Sequence, residues 1–417
     1  MAARLVRILI VLASVVVPAA QIRAGIMTAR GRETLEALEL RTRQNALDYT
    51  AWNRIADARL RLLASTGDLA NLRLARKAVE QSLQAAAAES NAAGLALRVR
   101  VELASHRFKD AKSSAEKLCS ILPEHAYPLG LLGDACFNLG EYDLCESVWR
   151  QMAGRDNAVL MLEPRLAQLD LLHGRNDEAR RRYGRVLEAA QELEREAPDI
   201  LAWANVQLGE LAFAGGDWST AAKHYETALA AHPDYYTAVE HKCELLGAQG
   251  KLDEAVAVYS QLIDRVPRPD VMHALGDLYL FFGKQSAAAL WHAKALTAYL
   301  ESADKGEAIY FHNLATLYAD SLNDPVCALE WARRDLTTCQ GIQAYDAVAW
   351  ALYKNGSFED ARITVLRVLS FETKNPHFLY HAGTILLRAG DISAGKLRLQ
   401  ETVAINPRYN TFHVHRG

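Results

Sequence analysis

Residues 203–233 read WANVQLGELAFAGGDWSTAAKHYETALAAHP. Two runs of helix-forming residues are separated by a break at Gly216, and the second run stops at Pro233. Glycine accepts the left-handed backbone conformation that ends a helix, and proline cannot continue one. The stretch therefore predicts two antiparallel helices joined by a tight turn.

The same pattern returns along the chain at a nearly constant interval. Successive small residues of the second helices differ in number by 34, 34, 42, 34, 33, 40, 33 and 34, and most of these differences are 33 or 34. A constant period of this length indicates a repeat protein, in which each helix pair buries its apolar face against its neighbours. The small residues are Ala111, Cys145, Ala179, Ala221, Ala255, Ala288, Ala328, Ala361 and Gly395.

The types of residue at fixed positions in each period resemble the tetratricopeptide repeat family. In the quoted stretch these positions carry Gly209, Gly216, Ala221, Tyr225 and Pro233. Small residues let the paired helices approach, and aromatic rings fill the space between neighbouring pairs. Later periods repeat the pattern at Gly250, Ala255, Tyr259 and Pro267, at Gly276, Gly283 and Ala288, at Gly356 and Ala361, and at Gly383, Gly390, Gly395 and Pro407.

The resemblance covers residues 93–407. It implies an all-α, right-handed superhelical solenoid of about ten antiparallel helical hairpins. Residues 25–92 are interpreted as a degenerate N-terminal helical repeat or cap, and residues 408–417 as a C-terminal tail. The pattern departs from the family at Cys145 and Gly395, which replace alanine, and near Pro164, where the first helix lacks its glycine.

The first 24 residues have the features of a secretory signal peptide. Arg4 and Arg7 precede an apolar run of 13 residues, Ile8 to Ala20, and Ala24 follows as a candidate cleavage position. This run is shorter than the ~17–25 residues of a membrane-spanning helix. A cleaved signal is favoured, with an uncleaved N-terminal anchor as the alternative. The protein is therefore expected to be exported, either to the periplasm or cell envelope or as a secreted protein.

Charge and cysteine content restrict the possible partners. Residues 25–417 contain 44 basic and 50 acidic side chains, a net charge of −6, which disfavours nucleic-acid binding. Cys119, Cys136, Cys145 and Cys243 lie in helical patterns, and the six cysteines are interpreted as small buried thiols, with one disulfide, most plausibly Cys136–Cys145, as the alternative. Membrane association is expected only through an uncleaved signal.

The sequence contains no motif of a nucleophilic, phosphate-binding or dinucleotide-binding enzyme, so we predict a non-enzymatic protein-interaction scaffold without a cofactor. In the family, the first helices of successive hairpins line a concave groove that binds a partner. By register, the resemblance places there Tyr127, Asp134, Phe137, Trp203, Glu210, Phe213, Glu240, His241, Glu244, His273, Asp277, His312, Asn313, Asp346, Trp350, Tyr353, Tyr380 and His381.

The charge of these groove residues predicts the kind of partner. Family members that bind chaperones clamp a C-terminal carboxylate with lysine, asparagine and arginine. At the equivalent positions this chain mostly carries Glu240, His241, Glu244, His273 and Asp277. A carboxylate clamp is therefore rejected, and a neutral or basic protein or peptide is expected. The alternative interpretation is a solvated polar face without a partner.

One group of predicted groove residues has ligand chemistry. His273 and Asp277 are four residues apart on one helix face, and Glu240, Glu244 and His312 come from the flanking hairpins. Such a group would suit a divalent metal, but no recognised metal motif accompanies it. We therefore predict no metal and keep a soluble ligand- or metal-binding protein as the alternative function.

Overall fold

The computed structural model describes residues 34–155, 158–192 and 198–409, and these residues form 21 α-helices without a strand. Helix α1, Leu35–Gln44, precedes ten consecutive helix pairs. The fold class is confirmed as an all-α helical repeat solenoid, and the handedness of the superhelix stays a prediction. The predicted signal, residues 1–24, and residues 410–417 of the predicted tail lie outside the described residues.

The ten pairs follow one another along the chain. They are α2–α3 (Tyr49–Thr66, Leu69–Ala85), α4–α5 (Ala92–Ala104, Phe108–Ile121), α6–α7 (Ala126–Asn138, Tyr142–Arg150), α8–α9 (Ala158–Leu172, Asn176–Glu192), α10–α11 (Pro198–Ala214, Trp218–Ala231), α12–α13 (Tyr236–Ala248, Leu252–Arg265), α14–α15 (Pro269–Phe281, Gln285–Asp304), α16–α17 (Phe311–Thr316, Pro325–Thr338), α18–α19 (Ile342–Lys354, Phe358–Leu369) and α20–α21 (Pro376–Arg388, Ile392–Ile405). A π-helical turn, Leu317–Ser321, continues α16.

The chain divides into two compact units. The N-terminal unit contains the described residues up to Leu166 together with 189–192, and the C-terminal unit contains Ala167–Glu188 and the described residues from Pro198 onward. The predicted boundaries at residues 24, 92 and 407 rest on the sequence pattern and stay predictions. No described helix is both long and apolar enough to cross a membrane.

The helix ends follow the predicted glycine and proline rules. Gly216, in the turn between α10 and α11, has a φ of 78°, which is the left-handed conformation predicted for it. Helix α11 stops at Ala231, two residues before Pro233. The same geometry recurs at Gly250, Gly356 and Gly390, and α13 and α21 likewise end just before Pro267 and Pro407.

In four of the ten described pairs, the two helices approach closely at a glycine of the first helix. A Cβ atom placed on Gly209 would lie 2.4 Å from Cε1 of Tyr225 in the second helix. The second helix contributes its own small residue, Ala221, which is fully buried. The same offset in residue number joins Gly133 to Trp149, Gly276 to His292 and Gly383 to Leu399.

Within the C-terminal unit, the last helix pairs contact the first ones. The ring Nδ1 of His173 lies 3.2 Å from the carbonyl oxygen of Phe371, 198 residues later. Gly174 packs against the side chain of Lys374. The guanidinium of Arg408 lies 4.9 Å from the ring centroid of Trp218. This unit is therefore held by contacts between distant repeats as well as by neighbours.

All six cysteines lie in described residues, and none is bonded to another. Cys136, Cys145, Cys243 and Cys339 are buried, as the interpretation as small buried thiols expected, whereas Cys119 and Cys327 are only half-buried. Burial raises the pKa of Cys136 to about 12 and also raises that of Cys145. These thiols therefore stay protonated and unreactive at neutral pH.

Replacing Gly209 with alanine is expected to lower the stability of the C-terminal unit by about 1–3 kcal/mol, because the new methyl group overlaps Tyr225. The matched control is Gly184→Ala in α9, where no atom lies within 4 Å of the added Cβ. That change is expected to raise stability by up to about 1 kcal/mol. Urea unfolding followed by circular dichroism measures both, and equal effects would contradict the close approach.

Candidate functional site

The eighteen predicted groove residues all lie on first helices of pairs, but none is exposed. The family register predicted which face they occupy, not how far the neighbouring helices cover it. Their role in partner binding stays a prediction. Twelve are buried, namely Phe137, Trp203, Phe213, Glu240, His241, Glu244, His273, His312, Asn313, Asp346, Trp350 and His381, and six are half-buried, namely Tyr127, Asp134, Glu210, Asp277, Tyr353 and Tyr380.

Many of the buried polar groups pair with the first helix of the following repeat. In the N-terminal unit, Arg165 of α8 donates from Nε and Nη2 to the two carboxylate oxygens of Asp134 in α6, each at 2.7 Å. Arg165 is only 1% exposed. Burial raises the pKa of Asp134 more than the guanidinium lowers it. A fork of this kind fixes the two helices in register.

A second pair of first helices meets through a histidine in the C-terminal unit. Nδ1 of His241 in α12 lies 2.6 Å from Glu210 in α10 and 3.1 Å from Glu244 one turn further along α12. Burial alone would lower the pKa of His241, but the two carboxylates outweigh it and raise this pKa to about 9. The imidazole is therefore a buried cation at neutral pH, and it neutralises part of the negative charge of Glu210 and Glu244.

These two contacts occupy the same place in the repeat. Asp134 and Glu210 each directly follow the close-approach glycine of their helix, Gly133 and Gly209. The cationic partners Arg165 and His241 each follow at the same distance along the chain, on the next first helix. Two of the carboxylates that the sequence predicted for partner binding, Asp134 and Glu210, are therefore paired with cations of the protein itself.

A third cluster surrounds Asp277 of α14. His292 of α15 places Nε2 at 2.9 Å from Oδ1 of Asp277, and His273 places Nε2 at 3.5 Å from Oδ2. The predicted flanking neighbours make other contacts: Glu244 groups with His241, and Nδ1 of His312 lies 3.2 Å from Asp335. The predicted grouping of His273 with Glu244 and His312 is therefore replaced by one with His292.

A fourth cluster joins α18 and α20. Nδ1 of His381 lies 2.8 Å from Oδ2 of Asp346, and Nε2 of His377 lies 3.7 Å from the same oxygen. The ring of Trp350 covers His381, with ring centroids 3.9 Å apart and planes inclined by 4°. All of these side chains are buried, so the cluster is closed to solvent.

Sequence reasoning missed Arg165 and His292, the partners that complete the first and third clusters. Arg165 lies in the repeat whose first helix lacks glycine, a departure that weakens the register locally. His292 lies in a second helix and was outside the groove prediction. Its offset from Gly276 gives a signal for it, since Trp149 and Tyr225 lie at the same offset after Gly133 and Gly209.

Comparison with known proteins supports the repeat interpretation. The sequence profile of the family described as tetratricopeptide repeat matches residues 206–267 and 242–303. These repeats are of a type that forms protein–protein interaction scaffolds, and the fold is generally non-enzymatic. No protein of curated function matches the sequence.

Three solved structures have similar helical arrays at low similarity. The Cut9–Hcn1 hetero-tetramer of the APC/C is 12% identical, with a TM-score of 0.37, over 91% of this chain and 88% of that chain. Yeast Tom70 is 12% identical, with a TM-score of 0.38, over 89% of this chain and 94% of that chain. A tetratricopeptide repeat protein of Parabacteroides merdae is 15% identical, with a TM-score of 0.38, over 58% of this chain and 93% of that chain.

Replacing Asp134 with asparagine is expected to destabilise the N-terminal unit by about 3–5 kcal/mol, because it leaves the buried Arg165 cation without its carboxylate. The double variant Asp134→Leu, Arg165→Met should recover most of this loss. As a control, Arg334→Gln breaks an exposed pair with Glu330 and should cost less than about 1 kcal/mol. Urea unfolding measures the three variants, and a mild effect of Asp134→Asn would argue against the buried fork.

The raised pKa of His241 predicts a pH-dependent contribution to stability. A group whose folded pKa is raised stabilises the fold fully below its unfolded pKa, about 6.5, and loses that contribution as pH rises through the folded pKa, about 9. His241→Gln should therefore cost on the order of 3 kcal/mol more at about pH 6 than at about pH 9.5. Urea unfolding of both proteins across this range tests it, and a constant difference would refute the cationic assignment.

Proposed function

We propose that this tetratricopeptide repeat protein is a non-enzymatic scaffold, exported from the cytoplasm, that holds a protein or peptide partner against the first helices of its repeats. The observation that carries the proposal is the chemistry left accessible on that face. Three tyrosines and three carboxylates of the predicted set, Tyr127, Tyr353 and Tyr380 with Asp134, Glu210 and Asp277, keep exposed surface.

The tyrosines supply anchors suited to protein binding. Tyr353 is half-buried and stacks on the buried ring of Trp350, with centroids 4.9 Å apart. Tyr380 is half-buried between His381 and Tyr409. A tyrosine supported in this way offers an apolar ring and a polar tip at low cost in side-chain entropy, and such rings are enriched in binding hot spots.

The carboxylates favour a neutral to moderately basic partner. Asp134 is neutralised by the Arg165 guanidinium, and Glu210 by the protonated His241. Asp277 keeps about a third of its side chain exposed, within reach of a partner. A strongly acidic partner would add negative charge to a face that already carries carboxylates, whereas a neutral segment with one or two basic residues would not.

Export is the part of the proposal that rests on sequence alone. Arg4, Arg7 and the apolar run before Ala24 have the composition of a secretory signal, and the alternative is an uncleaved anchor. The scaffold would then act in the periplasm or cell envelope, or as a secreted protein.

Site-specific photo-crosslinking in living cells tests the binding face. A benzoylphenylalanine placed at Tyr353 or Tyr380 keeps an aromatic ring at each position and should crosslink one protein that resides outside the cytoplasm. The matched controls are Ile363 and Val403, which are exposed on the second helices of the same two pairs. They should give no adduct with that protein.

Affinity measurements with the captured protein complete the test. The double variant Tyr353→Ala, Tyr380→Ala should bind at least about tenfold more weakly than wild type, with a nearly unchanged melting temperature. Adducts from Ile363 and Val403 instead would move the binding face to the second helices. Adducts only with cytoplasmic proteins would overturn export.

A further inference from the structure

The cluster around Asp277 combines converging ligand atoms with a carboxylate that remains partly exposed to solvent. A ring nitrogen of His273, a ring nitrogen of His292 and a carboxylate oxygen of Asp277 all lie within 4.8 Å of one another. His273 and Asp277 are one turn apart on α14, and His292 faces them from α15. Two imidazoles and one carboxylate are the ligand set of a common class of zinc site.

A fourth polar atom lies beside His273 and Asp277. Oγ of Ser321 lies 3.1 Å from Oδ1 of Asp277 and 3.4 Å from Nε2 of His273. A tetrahedral Zn²⁺ with bonds of ~2.0–2.2 Å holds its ligand atoms roughly 3.3–3.6 Å apart. Oδ1 of Asp277 lies 2.9 Å from Nε2 of His292, and Oδ2 lies 3.5 Å from Nε2 of His273. A modest rotation of the carboxylate would bring one oxygen to the tetrahedral spacing from both nitrogens.

A second layer of contacts orients His273. The hydroxyl of Tyr299 lies 3.4 Å from Nδ1 of His273, on the side of the ring opposite Asp277. A proton on Nδ1 can be donated to this hydroxyl, which leaves the lone pair of Nε2 directed at the cluster. Ligating histidines are commonly held by such a contact, which fixes the tautomer and strengthens the ligand.

Ser321, the residue beside the fourth position, comes from a distorted helix. Ser321 is the last residue of the π-helical turn Leu317–Ser321, whose final bond runs from the Leu322 amide to the Leu317 carbonyl at 2.9 Å. Single π turns inside helices frequently occur at functional sites. Asp277 is about one-third exposed and Ser321 is half-buried, so an ion can enter from solvent.

His292 also breaks the repeat pattern in a way that favours a ligand role. It packs on Gly276 at the position where Trp149 packs on Gly133 and Tyr225 on Gly209. Other helix pairs of this protein therefore accommodate a larger aromatic ring at this repeat position. An imidazole keeps the aromatic packing and adds a nitrogen that reaches Asp277.

The two other histidine clusters are less suited to an ion. His241 directs one nitrogen at both Glu210 and Glu244 and is itself held as a cation. Asp346 and His381 are buried beneath the stacked ring of Trp350. Neither cluster combines two converging imidazoles with access from solvent.

We propose that His273, Asp277 and His292 bind one divalent transition-metal ion of the Zn²⁺ class, with water in the fourth position beside Ser321. The bound ion would link the α14–α15 pair to the π turn of the next repeat. The metal site would share Asp277 with the proposed partner-binding face. Its occupancy is measured without any partner, so the two proposals can fail separately.

Isothermal titration of Zn²⁺ into untagged, chelator-stripped protein tests the site. Wild type should bind one ion per chain and gain several degrees in melting temperature. His292→Tyr should abolish this binding yet fold, because tyrosine occupies the equivalent position at Tyr225. Asp277→Asn is the second variant with the same expectation. Tyr299→Phe should weaken binding about 10–100-fold through loss of the contact to His273.

Two control variants decide where the ion binds. His224→Gln removes a half-buried histidine that contacts Asn205, outside the three histidine–carboxylate clusters, and should leave binding unchanged. His381→Gln removes a histidine of the closed cluster and should also leave it unchanged. The absence of Zn²⁺ binding by wild type, its persistence in both His292→Tyr and Asp277→Asn, or its loss in His381→Gln would each overturn the proposal.

Discussion

The close approach of two helices at a first-helix glycine is the constraint on which the rest of the structure depends. At Gly209 the backbone of α10 meets the ring of Tyr225, and the absent side chain sets the distance between the two helices. The same contact recurs at Gly133, Gly276 and Gly383, and the remaining apolar face of every pair must be covered by the next pair. The residue that follows the glycine then points to the next first helix, which is why Asp134 and Glu210 find partners there.

The polar residues of the first helices consequently have two roles that compete. Arg165 and His241 hold neighbouring repeats in register and neutralise carboxylates that would otherwise be offered to a partner. Removing either member leaves an unpaired buried charge, so substitutions on this face can weaken binding simply by loosening the fold. The half-buried tyrosines, Tyr353 and Tyr380, belong to neither of these ion pairs and are better probes of binding.

The period and the helix ends could be predicted from sequence because they depend on local chemistry. Gly216 and Pro233 act within a few residues of themselves, so their effect is visible without the fold. The burial of Trp203 and the partners of Asp277 could not be predicted in this way. They depend on side chains that approach across the repeat, such as His292, and on a π turn that the spacing of small residues does not encode.

Contacts between the first and last pairs of the C-terminal unit affect how it unfolds. A repeat array held only by neighbours can fray from its ends, losing one pair at a time. Here the carbonyl of Phe371 and the side chains of Lys374 and Arg408 contact residues 173–218. Fraying of the last pairs would break these contacts as well, so this unit is expected to open cooperatively. Closing so long a stretch of chain also raises its contact order, which slows folding.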